Sequence, residues 1–380
     1  KALAGEWIRI VQEEAAKSPE AGIATADDVR SLLNRRKNSE GQLMGLARGR
    51  VLEKQKVSEE GVRAWALKRT DQKAALDAYE GLSALMAEKR ATWDRDFLLD
   101  SINWGPRALS WPVTLVRKST ESVKADSDRE PGYQQRDLAR LKERLERDQS
   151  RYSPPVDVRI LESWVLRVLQ LPAAQRLASV EAMFGRYRAA DGGAGINRDG
   201  LRTLLVRMIA GSKVFVLAER MKMFDESPEQ LKARKDPLLD FGMALDAERR
   251  ELKDRRDRWA GTTLRLRPLW RKAVLAQSGK PVAPDANSTL RVTFGKVQGY
   301  SPRDALVAAP QTTLTGMIEK HVGEGDFDAP QKVRDAYAAK KFGRWVDPTL
   351  RDVPVDFLSD CDTTGGNSGS PTIDGAGRLV

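Results

Sequence analysis

A chain of 380 residues exceeds what one hydrophobic core ordinarily organises, and the length points to two domains. Its 41% hydrophobic and 31% charged residues read as a globular chain, and no apolar run approaches the roughly 18 residues of a membrane span. The net charge of +11 comes from 65 basic and 54 acidic residues interleaved along the chain, so solvated helical faces account for it better than nucleic acid does, and neither nucleic acid nor a membrane is expected as a partner.

Lys1 to Trp7 carries no signal-peptide pattern and already lies inside an amphipathic repeat, so the chain is expected to be a piece of a longer one. Leu3, Trp7, Ile10 and Val11 share one helical face that stops at Ser18-Pro19. Thr25 with Asp28 three residues on reads as the cap of a long helix bearing Val29, Leu32, Leu33, Leu43 and Leu46. Helical spacing continues from Trp65 to Met86 and breaks at Asn103-Trp104-Gly105-Pro106. From Gln134 to Ser150 a narrow stripe of Leu138, Leu141 and Leu145 among many charges predicts a two-helix prong, closed by Pro154-Pro155.

Ile160 to Leu171 is again amphipathic. The run Asp191 to Gly200 imitates a calcium loop, but Arg202 stands where a bidentate Glu is needed and two ligand positions are Gly. It is read as a loop, with Asp199 capping the next helix. Leu239 to Ala260 is a further charged helix.

At Ser278-Gly279-Lys280-Pro281 the pattern changes. Leu290, Val292 and Phe294 alternate with Arg291, Thr293 and Gly295, as in a half-buried strand. A helix is expected near Gln331 to Lys340, an extended segment from Val353 to Leu358, and a hairpin turn over Asp374 to Gly377. The fold class is therefore α+β: a large all-helical domain over 1–278, then part of an antiparallel β-barrel over 279–380.

Between the last two extended segments lies Cys361-Asp362-Thr363-Thr364-Gly365-Gly366-Asn367-Ser368-Gly369-Ser370-Pro371. Adjacent glycines permit backbone angles closed to other residues, so successive N–H groups can face one point and hold an oxyanion. Ser368 is the candidate nucleophile, with the N–H groups of Gly366 and Ser368 as oxyanion donors. An α/β-hydrolase elbow fits poorly, because it needs a glycine two residues after the serine, where this chain has Ser370. With one cysteine and one histidine the chain offers no zinc set, and no cofactor or metal is expected. Cys361 is read as a small buried residue. His321 is read as an exposed loop histidine, 47 residues before Ser368 and in a polar connection, and not as the serine's base.

The serine loop resembles that of chymotrypsin-like serine peptidases of bacterial type. With Pro284 to Arg291, Gly299 to Ala305 and Phe357 to Asp362 it is similar to the bacterial dipeptidyl-peptidases typified by dipeptidyl-peptidase 7 and dipeptidyl-peptidase 11. That resemblance implies a chymotrypsin-like barrel with an inserted helical domain, and release of dipeptides from the free N-terminus of a peptide. It implies that Asn38, in Lys37-Asn38-Ser39, holds the substrate's α-amine from the helical domain. It implies a bacterial protein that is periplasmic or otherwise exported, is compatible with a homodimer, and places the triad His and Asp before residue 1, so that these residues alone are expected to be inactive. Asp362 lies six residues before the serine, where such folds line the specificity pocket, yet in this family the Cys-Asp-x-Thr-Gly-Gly run is general and a loop-holding role is favoured. A glutamyl endopeptidase-like protease shares the serine run but has no helical cap. A non-catalytic basic helical binding protein would leave the serine loop unexplained.

Overall fold

The computed structural model describes residues 2–187, 196–280, 290–324, 327–363 and 366–380. The expected calcium-like run over 191–195, the Pro284 to Thr289 segment and Thr364-Gly365 fall outside these residues. The chain divides into two units, 1–282 and 283–380, each compact in itself.

The first unit is helical. It opens with α1 (Ala2–Ala15), which buries Leu3, Trp7, Ile10 and Val11 on the expected face. Next comes α2 (Pro19–Arg48), whose cap is Ser18 and not Thr25: the Ser18 hydroxyl accepts from the N–H of Ala21 at 3.2 Å, and Pro19 occupies the first turn. Thr25 lies buried in mid-helix and donates to the Ala21 carbonyl at 2.6 Å. The expected stripe also runs too far, since Leu43 and Leu46 are exposed. Arg50, in left-handed backbone, turns the chain into α3 (Val51–Ala66). Then follow α4 (Lys73–Ala91), α5 (Trp93–Ser101) and, beyond the expected break at Gly105-Pro106, α6 (Arg107–Ser122).

The charged stretch after α6 is a single helix, α7 (Gln135–Arg147), not a two-helix prong. Leu141 and Leu145 are buried beside Trp111, Leu115 and Phe224, so its narrow stripe serves a core. Pro154 and Pro155 begin α8 (Pro154–Leu169) instead of closing anything, because proline's missing N–H costs nothing in a first turn. After α9 (Ala178–Phe184), helix α10 (Arg198–Gly211) is capped by Asn197, which accepts from Gly200, and Asp199 merely stands in its first turn. Then come α11 (Leu217–Asp225), α12 (Pro228–Ala233) with a reciprocal Ser227/Gln230 cap, and α13 (Pro237–Ser278). The expected Leu239 to Ala260 helix lies in the first part of α13, which runs 42 residues and so continues well past the expected end. Asp236 caps it, and Gly279 ends it in left-handed backbone.

A large core gathers Trp7, Leu99, Trp164, Phe184 and Phe241 from α1, α5, α8, α9 and α13. Helix α6 crosses α13 so closely that a Cβ on Gly242 would stand 3.0 Å from the Pro112 Cβ. The same crossing buries charge: Asp246 accepts from Arg117 at 2.6 Å, and Glu130 takes the other end of that guanidinium at 2.6 Å.

The second unit holds two small antiparallel sheets among the described residues. Strand β1 (Tyr300–Arg303) pairs with β2 (Leu306–Ala308), and β3 (Gln311–Thr313) with β4 (Pro354–Phe357), Thr312 facing Asp356. Helix α14 (Leu314–Glu319) follows β3, and α15 (Gln331–Ala338) stands where a helix was expected. No barrel closes among these residues. The expected strand at Leu290 to Gly295 is not one: Leu290, Val292 and Phe294 are almost fully exposed. An alternating pattern announces a face to be buried, and here no described layer covers it.

Candidate active site

The approach to the serine loop is tied down from residue 293 onward. Residues 358–362 run antiparallel to 293–298: Gln298 N–H donates to the Leu358 carbonyl at 3.1 Å, and Val297 pairs with Ser359. Asp360 is the main tie. Its carboxylate accepts from the backbone N–H of Lys296 at 2.6 Å and from the side-chain amide of Gln298 at 3.1 Å, while its own N–H donates to the Lys296 carbonyl at 3.2 Å. Sequence reading missed this role, because the tie is tertiary and its partners lie more than 60 residues away. The spacing is so close that a Cβ on Gly295 would collide with the Asp360 carboxylate.

Asp362 follows, exposed, with its backbone N–H donating to the Thr293 hydroxyl at 3.0 Å. Cys361 is half-buried, less enclosed than expected. Gly366 has φ +103° and Gly369 φ +83°, left-handed backbone that favours glycine at both. A tight turn over residues 367–370, with Gly369 inside it, closes from the Ser370 N–H to the Asn367 carbonyl at 2.9 Å. Ser368 sits at the tip of that turn, exposed. Beyond it Asp374 organises the expected hairpin turn, accepting from Ala376 and Arg378 N–H groups at 2.9 Å each.

His321 is not the exposed loop residue anticipated. It stands just past the end of α14 with a side chain 19% exposed. Its Nδ1 accepts from the Ala329 N–H at 3.1 Å and lies 3.6 Å from Asp328, so the ring is committed to its own loop. Asn38 lies on α2 in the first unit, exposed, in an open groove shared with Asp27, Arg30, Ser31 and Arg151. No helix is long and apolar enough to cross a membrane, and no metal-binding cluster of His, Cys, Asp and Glu occurs among the described residues.

Against known proteins, the profile of a family described as Peptidase S46 matches residues 2–380. An Asp/Glu-specific dipeptidyl-peptidase of Shewanella putrefaciens is 29% identical over 384 residues, covering 94% of this chain and 50% of its own length. A dipeptidyl-peptidase 7 of Phocaeicola vulgatus is 46% identical over 104 residues, covering 27% of this chain and 14% of its own. The chain thus spans about half the length of the first of these relatives. In fold it is similar to Porphyromonas endodontalis DPP11 crystallised with the dipeptide Arg-Glu, at a TM-score of 0.71 and 23% identity, covering all of this chain and 52% of that one.

Proposed function

The chain belongs to the peptidase S46 family, and from that premise we propose that it carries the nucleophile and helical part of a serine dipeptidyl-peptidase. The supporting observation is the exposed Ser368 at the tip of the turn closed by Ser370 and Asn367, flanked by two left-handed glycines. In this reading the Ser368 hydroxyl attacks the carbonyl after the second residue of a peptide. Its proton passes to a general base and then to the departing amine. The N–H groups of Gly366 and Ser368 take the oxyanion charge, and water afterwards releases the dipeptide from the serine ester.

His321 is occupied by Ala329, so we place the base and its carboxylate outside these 380 residues, in the half of the relatives' length that this chain does not span. The 380 residues alone are then inactive. The second unit contributes part of a chymotrypsin-like barrel. Asn38 accepts from the substrate's α-ammonium and fixes the count of two residues. Asp362 holds the loop through its tie to Thr293. The substrates are peptides with a free N-terminus, met after export from the cytoplasm.

In the full-length protein Ser368→Ala is expected to remove several orders of magnitude of rate on free dipeptide substrates, with an unchanged circular-dichroism melt. An alanine protein retaining more than a few per cent of the rate would show that another residue is the nucleophile.

A further inference from the structure

The first unit contains a cavity of about 310 Å³ between α5, α6 and α13 that the proposed chemistry does not use. That volume is at the small end of ligand pockets, which run roughly 300–1,000 Å³. Leu99, Val113 and Leu252 give it apolar walls, and Tyr133, Arg117 and Arg249 give it polar ones.

The charges around it are matched save one. Arg117 is held by Glu130 at 2.6 Å and Asp246 at 2.6 Å, Arg256 by both oxygens of Asp100, and Lys253 by Asp257 at 2.6 Å. Arg249 makes no ion pair among the described residues. One of its terminal nitrogens donates to the Asn103 side chain at 2.8 Å, and no acceptor is found for the rest of the fork. Burial disfavours its charge, as does the neighbouring Arg117, and together they outweigh the opposing pull of Tyr133, Asp246 and Asp100; an anion alongside would relieve the burial penalty. Burial also pushes the Tyr133 phenol up, so it stays a neutral hydroxyl able to donate.

We propose that this cavity binds a small organic monocarboxylate, its carboxylate on the Arg249 fork beside the Tyr133 hydroxyl and its apolar body against Leu99, Val113 and Leu252. One unmatched cation calls for one negative charge. The carboxylates of Glu130, Asp100 and Asp257 in the same wall oppose a dianion such as phosphate. The inference does not depend on the assignment of Ser368.

The test is calorimetric titration of the protein with hexanoate, hexanamide and inorganic phosphate. Hexanoate is expected to bind saturably at one site, with hexanamide and phosphate at least tenfold weaker. Arg249→Gln should weaken hexanoate about ten- to a hundredfold, the range of a charge-assisted hydrogen bond. Tyr133→Phe, which keeps the ring packing, should weaken it several-fold and carries the test should Arg249→Gln not fold. Absence of saturable hexanoate binding overturns the proposal. So does hexanamide or phosphate binding as tightly as hexanoate, or unaltered hexanoate affinity in both variants.

Discussion

Asp157 fastens the start of one helix to the body of another. From α8 its two carboxylate oxygens accept the backbone N–H groups of Arg107 at 2.5 Å and Ala108 at 2.7 Å, the first donors of α6. Such free donors at a helix start want an anion, yet burial outweighs them and lifts the carboxyl from its ordinary value of 3.8 to about 6. A group whose folded value is raised contributes stability below its unfolded value, and that contribution is lost as pH rises through the folded one. The stability of the first unit is therefore expected to fall by about 2 kcal/mol between pH 4 and pH 6.5 through this residue. In Asp157→Asn that slope should vanish, while overall stability drops because an amide offers one acceptor to two donors. Chemical denaturation at a series of pH values measures both, and an unchanged slope in the variant would assign the pH dependence elsewhere. Nothing in the pattern around Asp157 announces this task. An acidic residue in an early helical turn looks like any other until the helix it faces is known.

The crossing of α6 and α13 shows the same limit for whole elements. Helix faces were legible where apolar residues kept their period: Leu3, Trp7, Ile10 and Val11 are all buried. Caps were less so, since Ser18 and Thr25 both carry a hydroxyl before a helical run and only Ser18 sits at a real start. What no periodicity reveals is how near two helices come. A methyl on Gly242 would press on Pro112 at 3.0 Å and ask it to give way by a few tenths of an ångström, whereas Gly261, further along α13, has nothing within 4 Å of a Cβ. Alanine should therefore act with opposite sign at the two positions. Gly242→Ala is expected to cost about 1–3 kcal/mol through overpacking, and Gly261→Ala to stabilise by about 0.5–1 kcal/mol through helix propensity. Urea midpoints of the two variants decide it. A stabilising Gly242→Ala would mean that the crossing relaxes freely.

Across the molecule, the helical character of the first part was legible because its apolar residues keep a helical period. The left-handed backbone at Gly366 and Gly369 was legible because glycine at those places specifies it. The exposed Leu290, Val292 and Phe294 misled because alternation states that a face exists and not what covers it. The Arg249 cavity was invisible, since Asn103, Tyr133 and Arg249 meet only in the fold. Helix α13 carries one more consequence. Its 42 residues reach roughly 63 Å at 1.5 Å each. Its first sixteen bury Leu238, Leu239, Phe241, Leu245, Asp246, Glu248 and Leu252, but beyond Trp259 only Leu266 and Ala273 are enclosed. The far half rests on the small cluster of Val62, Ala75 and Ala273, and Pro268 there leaves one carbonyl without its helical donor. One continuous element should thus open in two steps, its amides over 241–252 exchanging with deuterium only on global unfolding and those over 262–277 through cheaper local excursions. Equal protection along the whole helix would contradict this. A gradient would make the end of α13 the place where the first unit begins to come apart.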